Sequence, residues 1–301
     1  MLDPRTVADL RDRVADVMRE AATTAILPRL GKLRASESFE KTPGEIVTVA
    51  DHESELILSE RLLGLLPQAE VVGEEACATN PVLLDKLSEP LVWIVDPLDG
   101  TPNFAAGRAP FGIIIALAEK GTVLAGWLYD PLEDRLCFAA RGGGAWISYR
   151  GGKAERLRAP PPSGRPIAAL ATQFMPEPLR ETLIAAAADH YELRPIPRCA
   201  AEHYPRLCLG ENHIALFQRT LPWDHAASAL LLEEAGGQVR RWSGRPYQFD
   251  DYDVGILAAT SGELWESAAN ILLGDATLLD HAREAVGSLE PRSSSWATLR
   301  R

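Results

Sequence analysis

The stretch LVWIVDPLDGTPNF, residues 91–104, places two aspartates directly after a run of five apolar residues. Buried carboxylates are costly unless a hydrogen-bond donor or a cation compensates them. A turn through Pro97 and Leu98 would aim the carboxylates of Asp96 and Asp99, and the carbonyl of Leu98, at one small volume. Oxygen ligands of this kind are those that Mg²⁺ prefers, and Mg²⁺ in proteins commonly accompanies a phosphate. The stretch therefore predicts a metal site at the end of a strand.

The residues that follow favour an anion beside that metal. Gly100 and Thr101 come immediately before Pro102, a residue type that suits the first turn of a helix. Backbone N–H groups at a helix start attract negative charge. A phosphate is therefore expected next to the predicted metal site.

Composition excludes several functional classes. The chain has 301 residues, of which 46% are hydrophobic and 24% charged, which is typical of a globular protein. Its formal net charge is -11, from 42 acidic and 31 basic residues, and no Lys/Arg cluster is present, so we expect no nucleic-acid partner. Apolar residues at positions 7, 10, 14, 17 and 21 predict an amphipathic amino-terminal helix and no membrane association. Four scattered cysteines without a CxxC motif indicate a reducing, cytoplasmic location.

The order of apolar runs predicts two lobes. Strand-like runs separated by turn residues follow position 91, which indicates an antiparallel sheet in an amino-terminal α+β lobe, residues 1–155. The proline-rich segment 156–166 marks a boundary, because proline continues neither a helix nor a central strand. Alternating helical and strand patterns then indicate an α/β lobe over residues 156–290, and residues 291–301 are expected to be a flexible tail.

Two more acidic residues lie at the ends of predicted elements. Glu74 follows the apolar pair Val71 and Val72, and Asp224 opens an alanine- and leucine-rich helix. Taken singly, Asp224 is most simply a helix N-cap and Glu74 a surface residue. Taken with Asp96 and Asp99, they are candidate metal ligands.

Two segments resemble the signatures of a known family. DPLDGTPNFAAG, residues 96–107, and LPWDHAASALLLEEAGG, residues 221–237, resemble the first and second signatures of the inositol monophosphatase family of Mg²⁺-dependent, lithium-sensitive phosphatases. The resemblance spans most of residues 1–262 and includes EIVTVAD at 45–51 and VVGEEA at 71–76. It implies a layered αβαβα sandwich, with an antiparallel-sheet lobe and an α/β lobe, and a homodimer.

The resemblance also implies a set of metal ligands. Glu74, Asp96 and the carbonyl of Leu98 match ligands of a first Mg²⁺, and Asp96, Asp99 and Asp224 match ligands of a second. A third, weaker Mg²⁺ is expected near Glu74, so the expected cofactor is two or three Mg²⁺ ions.

Further roles follow from the same resemblance. Asp51 and Thr101 match the pair that orients and deprotonates the attacking water, so they join Glu74 as the expected catalytic residues. Lys41 lies on a segment similar to the mobile loop that closes over the site. The expected substrate-binding residues are Asp99, Gly100, Thr101, Arg219 and Asp224.

The substrate is left open by the sequence. Inositol-hydrolysing relatives have an acidic residue seven positions before the second-signature aspartate, where this chain has Phe217. Arg219 either pairs with a second anionic group of the substrate or with a carboxylate of the protein. A sugar bisphosphate, histidinol phosphate and a nucleotide phosphate are therefore alternatives to inositol phosphate. A non-catalytic, metal-binding regulatory protein is the alternative from another functional class.

Overall fold

The computed structural model describes residues 2–42, 45–251 and 253–274. Its α-helices are α1 (Pro4–Ala21), α2 (Val49–Leu65), α3 (Glu74–Thr79), α4 (Thr101–Ala105), α5 (Glu177–His190), α6 (Ala200–Leu209), α7 (Pro222–Glu234) and α8 (Gly262–Leu272). A π-helical turn at Ala22–Ile26 follows α1, and 3₁₀ turns lie at Leu27–Arg29, Ala35–Glu37 and Pro81–Ser88. Within these ranges, no helix is long and apolar enough to cross a membrane.

The strands form a hairpin and two larger sheets. The hairpin pairs β1 (Ser38–Thr42) with β2 (Glu45–Thr48). The first large sheet contains, in spatial order, β3 (Glu70–Gly73), β4 (Leu91–Asp99), β5 (Gly112–Glu119), β6 (Thr122–Asp130), β7 (Arg135–Ala140), β8 (Gly144–Tyr149) and β9 (Glu155–Leu157). The second contains β11 (Glu192–Leu193), β10 (Ile167–Ala171), β12 (Ile214–Phe217), β14 (Ile256–Ala259) and β13 (Gln238–Arg241).

The first sheet is an antiparallel meander from β4 to β9, as the apolar runs predict, and β3 joins its edge parallel to β4. Strand β5 is apolar at almost every position because both of its faces are covered. Ile113 and Ile115 face a core that includes residues of α1 and α2, whereas Ile114 and Ala116 face a core that includes residues of α6 and α7.

The layers alternate as expected for an αβαβα sandwich, which is confirmed. Helices α6 and α7 lie between the two sheets, because residues of both sheets share one core with them. Helices α5 and α8 cover the outer face of the second sheet, where Leu183 and Trp265 pack with Leu216 and Leu257. In this arrangement the start of α7 lies beside the end of β4.

The division into two lobes stays a prediction. Strand β9, which ends at Leu157, belongs to the first sheet, and the core between the sheets is continuous across the proline-rich segment 156–166. The expected tail, residues 291–301, lies outside the described residues.

Candidate metal and phosphate site

The candidate site begins where β4 becomes irregular. Residues 91–95 are buried and paired with β5, but the register shifts between Asp96 and Asp99, so that Asp99 lies opposite Gly112. The backbone N–H of Leu98 donates to Asp96 Oδ1 at 3.0 Å, which stabilises the turn predicted between the two aspartates. The strand thus ends in a bulge that turns polar groups away from the apolar ladder.

A third carboxylate comes from α7. One oxygen each from Asp96, Asp99 and Asp224 lies within 4.8 Å of the others. Asp224 is in the first turn of α7, which begins at Pro222 with Leu221 as its N-cap, so Asp224 does not occupy the N-cap position. Its side chain is therefore available to the group of aspartates and is not used to cap its own helix.

This group is electrostatically unfavourable without a cation. Burial, followed by repulsion from Glu74, Asp99 and Asp224, raises the pKa of Asp96 well above its usual value. Burial also raises the pKa of Asp224, with Asp99 and Glu74 adding to the shift and Arg219 opposing it. An all-oxygen donor set with excess negative charge fits a hard divalent cation such as Mg²⁺. The residues present therefore fit the metal that the sequence predicts.

Asp51 and Thr101 lie together beside the aspartates. Asp51 is in a capping box at the start of α2, where its Oδ2 accepts from the backbone N–H and the hydroxyl of Thr48 at 2.8 and 2.6 Å. The Thr101 hydroxyl lies 2.9 Å from Asp51 Oδ1 and 2.9 Å from the carbonyl oxygen of Leu98. One hydroxyl hydrogen serves one of these acceptors fully at a time. Burial raises the pKa of Asp51, and the bonds from Thr48 and Thr101 oppose that shift.

Gly100 and the start of α6 complete this side of the site. Gly100 has a φ of 80°, and an added Cβ would lie 2.9 Å from the carbonyl oxygen of Pro110, so this turn requires glycine. The backbone N–H of Ala201 donates to Asp99 Oδ2 at 2.6 Å. Asp99 is therefore held by a helix of the second half of the chain.

Glu74 lies at the edge of the group, in the first turn of α3. It is not among the three mutually close carboxylates, and its Oε1 accepts a hydrogen bond from Lys41 at 3.1 Å. Glu75 also accepts from Lys41 and is buried, although a lone glutamate at this position would ordinarily be exposed. Burial raises the pKa of both glutamates to about 7, while Lys41 opposes the shift. The sequence motifs give Glu75 no role, and its position beside Glu74 is the signal that could have indicated one.

Arg219 lies close enough to Asp224 to affect its pKa, and it has an ion-pair partner that the sequence did not identify. Its guanidinium forms an ion pair with Glu45 of the β1–β2 hairpin and lies 5.4 Å from the ring centre of Phe174. The structure thus contains a pairing of Arg219 with a protein carboxylate. Phe174 is partly exposed, so Arg219 and Phe174 are accessible from outside the site.

Phe217 is buried in an aromatic cluster that the sequence did not indicate. Its ring stacks on Tyr204, with centroids 5.5 Å apart, and meets His203 and His225 edge-on at 4.9 and 4.8 Å. His225 Nδ1 lies 2.9 Å from the Tyr204 hydroxyl, and His225 is buried. His225 is thus part of the core, in keeping with the preference of Mg²⁺ for oxygen ligands.

Comparison with known proteins identifies the family. The sequence profile of the inositol monophosphatase family matches residues 9–273. The chain is 29% identical over 214 residues to the inositol-1-monophosphatase of Bacillus subtilis, covering 69% of this chain and 76% of that protein. It is 30% identical over 217 residues to the Nus factor SuhB of Vibrio cholerae, with coverage of 69% and 76%. The crystal structure of the extragenic suppressor protein SuhB from Bartonella henselae superposes with a TM-score of 0.75 at 23% identity, covering 88% of this chain and 98% of that one. The chain belongs to the inositol monophosphatase family.

Proposed function

We propose that this protein is a Mg²⁺-dependent phosphomonoester hydrolase. The observation that carries the proposal is the convergence of Asp96, Asp99 and Asp224, whose oxygens lie within 4.8 Å of one another, beside the hydrogen-bonded pair of Asp51 and Thr101. Membership of the inositol monophosphatase family supports the same reaction class.

The proposed ligands divide between two ions. Glu74, Asp96 and the Leu98 carbonyl would hold one Mg²⁺, and Asp96, Asp99 and Asp224 a second, and the family resemblance implies a third, weaker ion near Glu74. Bound Mg²⁺ supplies charge neutralisation for the phosphate and for the leaving oxygen, and lowers the pKa of water. Because Asp96 would be shared, both ions would depend on it.

The remaining steps belong to side chains of the chain itself. The Thr101 hydroxyl and Asp51 Oδ1, 2.9 Å apart, would hold the attacking water, with Thr101 accepting or donating a hydrogen bond as its rotor requires. Asp51 would take the proton of the water on Oδ1, because Oδ2 already accepts two hydrogen bonds from Thr48. Water would attack phosphorus in line with the leaving oxygen, forming a new P–O bond as the ester P–O bond breaks. No covalent enzyme intermediate would form, because water and not a side chain is the nucleophile, and Glu74 would contribute by holding the first Mg²⁺.

The substrate side of the proposal rests on Gly100 and Arg219. Gly100, Thr101, Asp99 and Asp224 would surround the phosphate. Phe217 is buried and has no hydroxyl acceptor, so this position does not supply the inositol contact seen in the sequence pattern of inositol-hydrolysing relatives. Arg219 would bind a second anionic group of the substrate in exchange for Glu45, its ion-pair partner. This favours a bisphosphate or a carboxylated phosphomonoester as substrate.

A phosphate-release assay tests the function. The purified protein is incubated with inositol monophosphate, a sugar bisphosphate, histidinol phosphate, a nucleoside monophosphate and glycerol phosphate, each with Mg²⁺ and with a chelator. Release that depends on Mg²⁺ is the expected result, and equal rates after complete metal removal would contradict the proposal. Arg219→Ala should cost about ten- to hundredfold in kcat/KM for doubly anionic substrates only. Arg194→Ala is the control, because Arg194 pairs with Glu192 on the surface.

A regulatory role is the second candidate. It is favoured by the relative from Vibrio cholerae, which carries the name Nus factor at 30% identity. A catalytic role is better supported, since the three aspartates lie within 4.8 Å of one another and Asp51 is hydrogen-bonded to Thr101. Absence of turnover on every phosphomonoester in the panel, with Mg²⁺ binding retained, would favour the regulatory role.

A homodimer, a cytoplasmic location and inhibition by millimolar lithium are also proposed. The first and the last rest on the family alone, and the location rests on the cysteines. The four cysteines are buried and unpaired, which suits a reducing compartment. Light scattering of the purified protein and phosphate release in lithium at limiting Mg²⁺ test the first and the last.

A further inference from the structure

The β1–β2 hairpin places a protein cation in contact with a proposed metal ligand. Lys41 Nζ donates to Glu74 Oε1 at 3.1 Å and also to Glu75 Oε1. The Lys41 side chain is only 14% exposed, and the side chains of Glu74 and Glu75 are 25% and 3% exposed. Lys41 therefore occupies part of the space around Glu74 that a metal ion would use.

The two glutamates share the first turn of α3 but differ in burial. The backbone N–H groups of Glu75 and Ala76 donate to the two carboxylate oxygens of Glu55 at 2.7 and 2.8 Å. A Cβ on Gly73 would lie 2.4 Å from the Glu55 carboxyl carbon, so the start of α3 sits tightly against Glu55. Glu75 is the more deeply buried of the two glutamates and belongs to this fixed turn. Lys41, by contrast, carries its charge on a flexible four-carbon chain.

Charge explains why Lys41 lies there. Four carboxylates of the site, those of Asp51, Asp96, Asp99 and Asp224, lie close enough to Glu74 or to one another to raise the pKa of a neighbour. An ammonium group between Glu74 and Glu75 lowers this repulsion in the metal-free protein. A divalent cation on Glu74 would then be repelled by the same ammonium group at contact distance.

We infer that Lys41 is an internal counter-ion that competes with a divalent cation for Glu74, and that Glu75 is a positioning residue that retains Lys41 when the cation binds. The inference rests on the proposed function, which assigns Glu74 to the metal. Metal binding in this protein is thus an exchange of one cation for another on Glu74, with Lys41 shifting fully to Glu75.

Metal-binding measurements on variants test the exchange. Calorimetric titration with Mg²⁺ should give a Kd about tenfold lower for Lys41→Met than for the wild type, because a charged hydrogen bond no longer has to be broken. Lys41→Arg keeps the charge and should remain close to the wild type. Lys86→Met is the matched control, since Lys86 pairs with Glu70 in a more exposed ion pair at 2.6 Å and should leave the Kd unchanged.

Glu75→Gln should act in the opposite direction. Without its second acceptor Lys41 pairs with Glu74 alone, so the Kd for Mg²⁺ should rise about tenfold. Loss of affinity in both Lys41→Met and Glu75→Gln would mean that the pair merely supports local structure, and would overturn the inference.

A double-mutant cycle separates contact from long-range charge. In a Glu74→Gln background, Lys41→Met should change the remaining Mg²⁺ affinity less than twofold, because the oxygen for which Lys41 competes has lost its charge. An equal tenfold gain in both backgrounds would overturn the contact competition. Thermal unfolding in a chelator adds a readout without metal, in which Lys41→Met should unfold at a lower temperature than the wild type.

The outcomes also distinguish this inference from the proposed function. If the wild type binds Mg²⁺ and releases phosphate, while Lys41→Met has the same Kd, the competition alone is wrong. If the wild type neither binds Mg²⁺ nor releases phosphate, both the function and the competition are overturned.

Discussion

Gly126 determines how closely α7 approaches the first sheet. It lies on β6, and a Cβ added there would be 2.8 Å from Ala227 Cα, 2.9 Å from Ala227 Cβ and 2.9 Å from the Ala227 carbonyl oxygen. These are backbone atoms or atoms bonded to the backbone, so no side-chain rotation relieves the contact. Ala227 is one helical turn beyond Asp224 on α7. A substitution at Gly126 is therefore expected to move a proposed metal ligand.

The size of the effect follows from these distances. Carbon atoms pack best at about 3.5–4.0 Å, so α7 must move by about 0.7 Å or more to accept the methyl group of Gly126→Ala. Adding a methyl group to a packed core of this kind costs about 1–3 kcal/mol of unfolding free energy. A displacement near 1 Å in an active site lowers the rate by about a hundredfold. We expect Gly126→Ala to lose about 1–3 kcal/mol of stability and at least about tenfold in Mg²⁺-dependent phosphate release.

Urea unfolding and Mg²⁺ titration measure the two effects separately. Gly64→Ala is the control, because Gly64 lies in α2 and an added Cβ meets nothing within 4 Å. That variant should be more stable by about 0.5–1 kcal/mol and unchanged in activity. If Gly126→Ala unfolds within about 0.5 kcal/mol of the wild type, the packing argument is refuted. If stability falls while Mg²⁺ affinity and rate stay unchanged, the sheet has moved and α7 has not. That result would refute the expectation that the added methyl group displaces Asp224.

Three further predictions follow from other parts of the structure. His203 is buried and its pKa is lowered to about 3 by desolvation, so its contribution to stability is full above its unfolded pKa near 6.5 and is lost as the pH falls from there towards 3. By pH 5 the loss should reach about 2 kcal/mol in urea unfolding, and a His203→Gln variant whose stability has the same pH slope would contradict this. Asp96→Asn removes a charge from a repelling group, so it should unfold no more easily than the wild type in chelator while retaining less than about a tenth of the rate with Mg²⁺. Arg135→Met leaves Glu202 without one partner of a buried ion pair and should cost about 3 kcal/mol, whereas a loss below about 1 kcal/mol would indicate that Arg206 compensates fully.

The features that the sequence predicted well are those encoded by neighbouring residues. The apolar run 112–118 predicts a strand of the antiparallel sheet, and β5 is such a strand. The turn between Asp96 and Asp99 follows from residues 96–99 alone, and the hydrogen bond from the Leu98 N–H to Asp96 forms within it. Local sequence was sufficient in these cases because the interactions that stabilise each feature are themselves local.

Contacts between distant residues could not be read from patterns. The pair of Thr101 and Asp51 joins residues fifty positions apart and was expected only through resemblance to a family. The ion pairs of Lys41 with Glu75, and of Arg219 with Glu45, depend on where the β1–β2 hairpin lies. Long charged side chains have many possible partners, and only the tertiary structure selects among them.

Phe217 illustrates a different limit. All four residues of β12 are buried, so the strand lacks the alternation that would indicate which side chains face a pocket. The substitution of an acidic residue by Phe217 predicts a lost substrate contact, but it does not predict the stacking on Tyr204. The aromatic cluster depends on α6, which lies in another layer of the fold.

The negative charge of the site could be predicted from sequence motifs, whereas its positive charge could not. Its negative charge comes from Asp96, Asp99 and Asp224, which lie at strand and helix ends within recognisable motifs, and the proposed metal and reaction class rest on it. Lys41 and Arg219 supply positive charge from outside those motifs, and each pairs with a carboxylate across the fold. A protein cation that competes with the metal changes metal affinity although the metal ligands stay the same. A protein cation that can bind an anionic group of the substrate likewise changes substrate preference although the metal ligands stay the same. Proteins with the same aspartate motifs can therefore differ in metal requirement and substrate through residues like Lys41 and Arg219.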